Sequence, residues 1–164
     1  MSSTSTSGES SFVVLPPPFI LTKQNISILA VVRYGPLPPT LTPTDLHAYF
    51  CLGDPNTHEP LADMSVYPVQ TGQGMAVTGV VLPGEEEEEG GVHAFFLFHN
   101  ATFLKEGTYK MGVSIQEDKI DATNLAQLWS REFTVGGVAG DMRRSPDEQR
   151  IIDKLKEEGV FGAN

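Results

Sequence analysis

The sequence predicts an all-β protein, a sandwich of roughly six or seven short strands closed by one C-terminal helix. Three observations carry this. Apolar residues recur with a period of two through most of the chain, 12 Pro and 16 Gly cut it into short runs, and only the final stretch changes to a helical period. At 164 residues the chain has room for one domain with a real core and too little for two of ordinary size.

Residues 1–11, "MSSTSTSGESS", are almost all Ser, Thr and Gly. That composition cannot offset its own ordering entropy, so it reads as a disordered tail, with the domain expected over 12–164. "LPPPF" follows as a rigid, extended lead-in, because Pro16, Pro17 and Pro18 fix φ and offer no N–H to a central strand. "NISILAVVRY" then places Ile26, Ile28, Ala30, Val32 and Tyr34 on one face, while Leu29 and Val31 keep the other partly apolar. It reads as a well-buried strand. "DLHAYFCL" puts Leu46, Ala48, Phe50 and Leu52 on one face, and "GMAVTGVVLP" is a third candidate strand ending at Pro83. "GPLPPTLTP" and "GDPNTHEPLAD" are dense in turn residues and read as loops.

"GVHAFFLFHN" is apolar on both faces, Phe95 and Leu97 on one and Phe96 and Phe98 on the other. Such a strand is either central to the core or faces a partner, which makes Phe96 and Phe98 partner-interface candidates. "GTYKMGVSIQ" alternates cleanly, with Tyr109, Met111, Val113 and Ile115 inward, and "REFTV" is a short last strand with Phe133 and Val135 pointing together. Between the two aromatic segments, Glu106-Gly107 reads as a tight turn that needs a permissive backbone.

The period changes in "SPDEQRIIDKLKEEGVF". Ser145 is an N-cap, Pro146 fits the first turn, Asp147 and Glu148 complement the dipole, and Glu148 stands at the reciprocal capping-box position. Gly159 is placed to end a helix expected over about 146–158 in a left-handed cap. Ile151, Ile152 and Leu155 form a narrow apolar stripe on a helix too short to stand alone, so they must dock on the sandwich or on another chain. They join the partner-interface candidates. The strand count, the irregular loops and the terminal helix together point to an immunoglobulin-like sandwich.

The residues argue against catalysis and bound metal. His93 and His99 stand six positions apart on one strand, about 20 Å at ~3.3 Å per residue, too far to share an ion. His47 and His58 have no Cys or His at ligand spacing. Cys51 lies in an apolar strand, where a thiol packs as a small hydrophobe. "GQGMAVTG" leads into a strand and lacks the Lys of a phosphate cradle, and "GVSIQ" lacks the second glycine of a nucleophile elbow. No catalytic residue, metal, cofactor or small-molecule substrate is expected.

The net charge of −10 disfavours a surface built mainly to hold phosphate backbone. Glu85 to Glu89 read as a solvated loop tip rather than a cation site, since adjacent glutamates on a loop do not preorganise a metal shell. There is no basic, apolar leader and no apolar run long enough to span a bilayer, so the chain reads as intracellular, with no membrane partner. The sequons Asn25-Ile26-Ser27 and Asn100-Ala101-Thr102 are then incidental.

Several segments, taken in order, resemble the velvet domain of fungal regulatory proteins. They are "LPPPF" leading to a strand, "AFFLF" followed by "LKEGTYKMGVSI", then "LAQLWSREFTV", and a short helix ending "LKEEGV". The resemblance spans roughly residues 14–160 and is most specific over Phe95 to Ile115 together with Ser130, Phe133 and Val135. It implies a Rel-homology-like sandwich, a role in the nucleus and cytoplasm in fungal development and secondary metabolism, and action as homo- or heterodimers with other velvet-domain proteins. In some members it implies DNA binding, and it implies no catalysis. One departure bears on DNA: relatives that bind it carry a basic cluster before the Pro run, whereas residues 1–15 here contain no Lys or Arg. The candidates left for DNA contact are Arg33, Arg131, Arg143 and Arg144. The alternative expectation is an immunoglobulin-like adaptor or ligand-binding module without DNA binding, which would use an exposed sheet face such as that of Phe96 and Phe98.

Overall fold

The structure is a computed structural model that describes residues 9–35, 37, 40, 45–68, 93–117, 124–138 and 145–157. Within them are eight strands and one α-helix: β1 (Glu9–Val14), β2 (Phe19–Leu21), β3 (Asn25–Gly35), β4 (Leu46–Gly53), β5 (Ala94–Thr102), β6 (Gly107–Glu117), β7 (Asn124–Trp129), β8 (Phe133–Gly136) and α1 (Pro146–Glu157). The candidate strand in "GMAVTGVVLP", the run Glu85 to Glu89, Gly159, Arg143 and Arg144 lie outside the described residues.

Two sheets form a sandwich. The first has the order β1-β3-β5, and the second β2-β8-β6-β4, with β7 also paired to β6. Their facing sides share one core, in which Ala30, Val32, Phe96 and Phe98 of the first sheet meet Ala48, Met111, Val113 and Phe133 of the second. The outer side of the first sheet is covered by α1. There Ile152 and Leu155 bury themselves against Val14, Val31, Phe95 and Leu97. β5 is apolar on both faces because it stands between these two cores, one filled by the opposing sheet and one by the helix.

Order begins earlier than its composition suggests. Glu9 to Val14 pair antiparallel with β3, from Glu9 opposite Gly35 to Val14 opposite Val31, so residues 9–11 belong to the domain. Ser and Thr form a ladder readily once a neighbouring strand supplies the hydrogen bonds that the isolated segment lacks. The Pro run then carries the chain from one sheet to the other, and β2 pairs parallel with β8, Phe19 opposite Thr134 and Leu21 opposite Gly136. The carbonyl of Pro18 accepts from Thr134 N–H at 3.0 Å and that of Pro16 from the Arg131 guanidinium at 3.3 Å. A proline is tolerated here because only its carbonyl is asked for.

The single face expected for Ile26, Ile28, Ala30, Val32 and Tyr34 is broken. Between Ile28, opposite His99, and Ala30, opposite Phe98, β3 has one residue more than β5. This bulge turns Leu29 into the main core and sends Ile28 to the helix side. Beside it Asn100 adopts φ 54°, a left-handed conformation in which Asn is several-fold enriched. Its polarity thus serves the backbone at an irregular step of the ladder.

β7 and β8 lie along the same edge of β6, separated by a break. β6 pairs with β7 from Gly112 to Gln116 and with β8 from Gly107 to Tyr109. Ser130 fills the gap: it is buried, its Oγ accepts the Met111 N–H at 2.9 Å and donates to the Arg131 carbonyl at 2.7 Å, and its own N–H reaches the Met111 carbonyl at 2.8 Å. A hydroxyl therefore stands in for the missing ladder bonds. Phe133 and Val135 then return inward.

α1 starts as its sequence requires, with the Glu148 N–H donating to Ser145 Oγ at 3.2 Å. The reciprocal half of the capping box is a correction. Glu148 Oε2 instead accepts the N–H of Leu15 at 2.8 Å, tying the first turn of the helix to the end of β1. A carboxylate that meets a backbone N–H at the edge of a packed sheet takes it in preference to its own solvated cap.

A candidate interaction surface at one end of the sandwich

Three connections meet at one end of the sandwich. Between β2 and β3, Lys23 takes φ 67° and its N–H donates to the Phe103 carbonyl at 2.8 Å, while Thr22 N–H reaches the Gly136 carbonyl at 2.9 Å. This pins the β2–β3 turn to the β5–β6 turn and to the end of β8. In the β5–β6 turn the Tyr109 hydroxyl lies 3.0 Å from the Lys105 carbonyl and 3.2 Å from that of Glu106, bonding back across the corner that leads into its own strand. Burial raises the pKa of that hydroxyl, so it remains a donor at neutral pH.

Gly107 carries a correction. Its φ is not in the left-handed region, and what excludes a side chain is Tyr109: a Cβ would stand 2.6 Å from the phenolic oxygen and 2.8 Å from Cζ. The glycine is demanded by an aromatic ring folded over it rather than by the turn.

The third connection is the segment after β4. Asp63 caps a short 3-10 turn, Met64–Val66, by accepting from Ser65 N–H at 3.0 Å and Ser65 Oγ at 2.7 Å, and its other oxygen meets Lys105 Nζ at 3.0 Å. The Ser65 hydroxyl, the Ser65 N–H and then Lys105 hold the carboxyl at about 2, well below its usual range. Both side chains of the ion pair are more than half exposed, so it positions more than it stabilises.

Lys105 and Glu106 separate two open clefts. One, of about 640 Å³, runs past Leu21, Lys23 and Leu104, and the other, of about 370 Å³, past Leu61, Asp63 and Tyr109. Large apolar side chains stand exposed nearby in the chain: Leu104 at 53% in the β5–β6 turn, Met64 at 76% next to Asp63, and Val138 at 79% two residues past the end of β8. Exposed apolar side chains close in sequence to an ion pair are chemistry suited to contact with a protein surface.

The residues expected to make such contacts are placed elsewhere. Phe96 and Phe98 are 0% and 1% exposed, with Phe98 edge-on to Phe50 at 5.8 Å between ring centres, so they fill the inter-sheet core and present no face to a partner. Ile152 and Leu155 are buried against the first sheet, and Ile151 is half-buried at its margin. Their apolar area is already removed from water inside the chain. Among the DNA-contact candidates, Arg33 shares the helix-covered side of the first sheet with its partner Phe95, and Arg131 holds the Pro16 carbonyl. Arg33 lies on the first sheet and Arg131 in the link between β7 and β8 of the second. Lys105 and Arg150 each face a carboxylate, Asp63 and Asp147, so their charge is partly neutralised locally.

The histidines are likewise apart. His58, at φ 59°, stacks on Trp129 with ring centres 5.1 Å apart and lies 2.9 Å from Lys110 Nζ, while His99 contacts Asn100. Among the described residues no group of three His, Cys, Asp or Glu converges on a point that could hold a metal ion. Burial raises the pKa of the Cys51 thiol, against a weaker opposing bond from the Gly112 backbone, which favours the protonated form. No helix among the described residues is long and apolar enough to cross a membrane.

Sequence reasoning missed this surface and β7. The signal for β7 was present in Ala126 and Leu128, two apart beside the only tryptophan. For the surface it lay in single large apolar residues set among turn residues, "TFLKEG", "ADMSV" and "VGGVAG". The class that fold and surface define is an all-β sandwich with a helix on one outer face and an apolar, charge-centred end. No family model matches the sequence, and no curated protein matches it.

Proposed function

We propose that this chain is a velvet-like regulatory domain that works by associating with a second velvet-domain chain, as a homo- or heterodimer in the nucleus and cytoplasm, and contacts DNA only as part of such a dimer. One observation carries the reading. Two of the segments that resemble the velvet pattern meet in the fold: Tyr109 packs 6.1 Å from the Phe133 ring, Phe103 packs 5.8 Å from it, and Ser130 bonds the backbone of Met111.

Two features support the immunoglobulin-like, Rel-homology-like form of sandwich. The Tyr109 hydroxyl bonds a carbonyl four residues upstream near the start of a strand, as in the tyrosine corner of Greek-key sandwiches. The first part of the chain is divided between the sheets, β1 in one and β2 in the other beside the last strand. The adaptor reading has lost the face that motivated it, because Phe96 and Phe98 are internal.

The surface that fits association best is the end around Lys105, with Leu104, Met64 and Val138 as its apolar contacts. Size-exclusion chromatography with light scattering, on the chain alone and mixed with another velvet-domain protein, tests this. A stable complex is expected for the native chain and is weakened by Leu104→Asp at unchanged melting temperature. A chain that stays monomeric and binds no velvet-domain protein sinks the proposal. Mobility shift with duplex DNA at low and moderate salt should show binding only when the partner is present.

A further inference from the structure

Ser145 is followed by Pro146 and is exposed to solvent. Among the described residues its bonds are local, the Glu148 N–H to its Oγ at 3.2 Å and the Gln149 N–H to its carbonyl at 3.0 Å. Pro146, Asp147, Gln149 and Arg150 are exposed as well, and the residues of α1 buried on the first sheet, Ile152 and Leu155, come later. Opening the first turn requires the Glu148–Leu15 bond to break, while Ile152 and Leu155 keep the rest of the helix docked.

We propose that Ser145 is a phosphorylation site for a proline-directed protein kinase using ATP. Such kinases accept proline after the serine because proline brings no N–H that would be left unpaired when buried against them. Ser145 Oγ attacks the γ-phosphorus in line. The Oγ–P bond forms as the bond to the β–γ bridging oxygen breaks, ADP leaves, and the hydroxyl proton passes to the kinase's catalytic carboxylate.

The position decides what modification does. A phosphoserine brings about −1.5 to −2 charge and three acceptor oxygens to the start of α1, where the helix dipole and the first-turn N–H groups favour it. On the same turn, however, the Glu148 carboxylate holds Leu15 N–H at 2.8 Å. The phosphate competes for the Glu148 N–H and repels that carboxylate. Modification firms the first turn of α1 and loosens its tie to the end of β1.

The experiment uses the full chain, a purified proline-directed kinase and ATP, with site mapping by mass spectrometry and amide hydrogen exchange read at Leu15. Phosphate is expected on Ser145, with exchange at Leu15 faster by about tenfold after modification. In Glu148→Gln, whose amide can still accept the bond without a charge to be repelled, modification should leave Leu15 exchange nearly unchanged. Three results would overturn the proposal: Ser145 unmodified in the folded chain although the same kinase labels a peptide of residues 141–152, label fully retained in Ser145→Ala, or Leu15 exchange identical before and after modification.

Discussion

Replacing Ser130 by alanine is the most direct test of how the second sheet is held together. Ser130 Oγ is the acceptor for the N–H of Met111, a residue with no exposure, and the donor to the Arg131 carbonyl. Alanine removes both bonds and leaves almost no cavity, so the cost is that of the groups left without partners. A buried N–H without an acceptor costs about 1–3 kcal/mol. Arg131 is exposed, so water can reach its carbonyl and that loss is small. The sum is about 2 kcal/mol, equivalent to a fall in melting temperature of about 4–8 °C for a domain of this size. Urea unfolding followed by the fluorescence of Trp129, the single tryptophan, measures it at the end of the strand concerned. A loss below about 0.5 kcal/mol would refute the reasoning, because it would mean that the Met111 N–H is readily satisfied without the hydroxyl.

Three further outcomes are expected. Leu155→Ala should cost about 2–5 kcal/mol, and Leu155→Asp more, because the charge would enter a closed apolar layer; circular dichroism melts that match the native chain would show that α1 is not docked. Gly107→Ala should cost about 1–3 kcal/mol by pushing the Tyr109 ring off its carbonyl partner, and an unchanged melting temperature would mean that the ring yields freely. Asp63 has a depressed pKa, so its contribution is fully present above the ordinary carboxylate value and is lost as pH falls through about 2. The Ser65 amide resonance should titrate with that midpoint, and a midpoint near 4 would show that neither Ser65 nor Lys105 holds the carboxylate.

The candidate site was only partly legible in the sequence, for a definable reason. Apolar residues on both faces of β5 were visible, but the same pattern serves a strand between two internal layers and a strand that faces a partner. Which of the two applies depends on whether something covers each face, and here the opposing sheet covers Phe96 and Phe98 while α1 covers Phe95 and Leu97. The stripe on α1 had the same ambiguity, resolved by the same contact. Leu104, Met64 and Val138 went unnoticed because nothing local distinguishes an apolar turn residue that folds inward from one that stays in water.

What the sequence determined by itself was set by local geometry. Side chains alternate across a strand, so the inward set Tyr109, Met111, Val113 and Ile115 was readable without a structure, as were the Ser145 cap and the start of α1. What only the tertiary structure decided were the features that need two distant segments at once. These are the pairing of β1 with β3, the parallel docking of β2 on β8, the bulge at Leu29, the reach of Glu148 to Leu15, and a glycine at 107 kept free for an aromatic ring. Each is fixed by which backbone groups and side chains meet across the fold, and periodicity along the chain carries no record of that meeting.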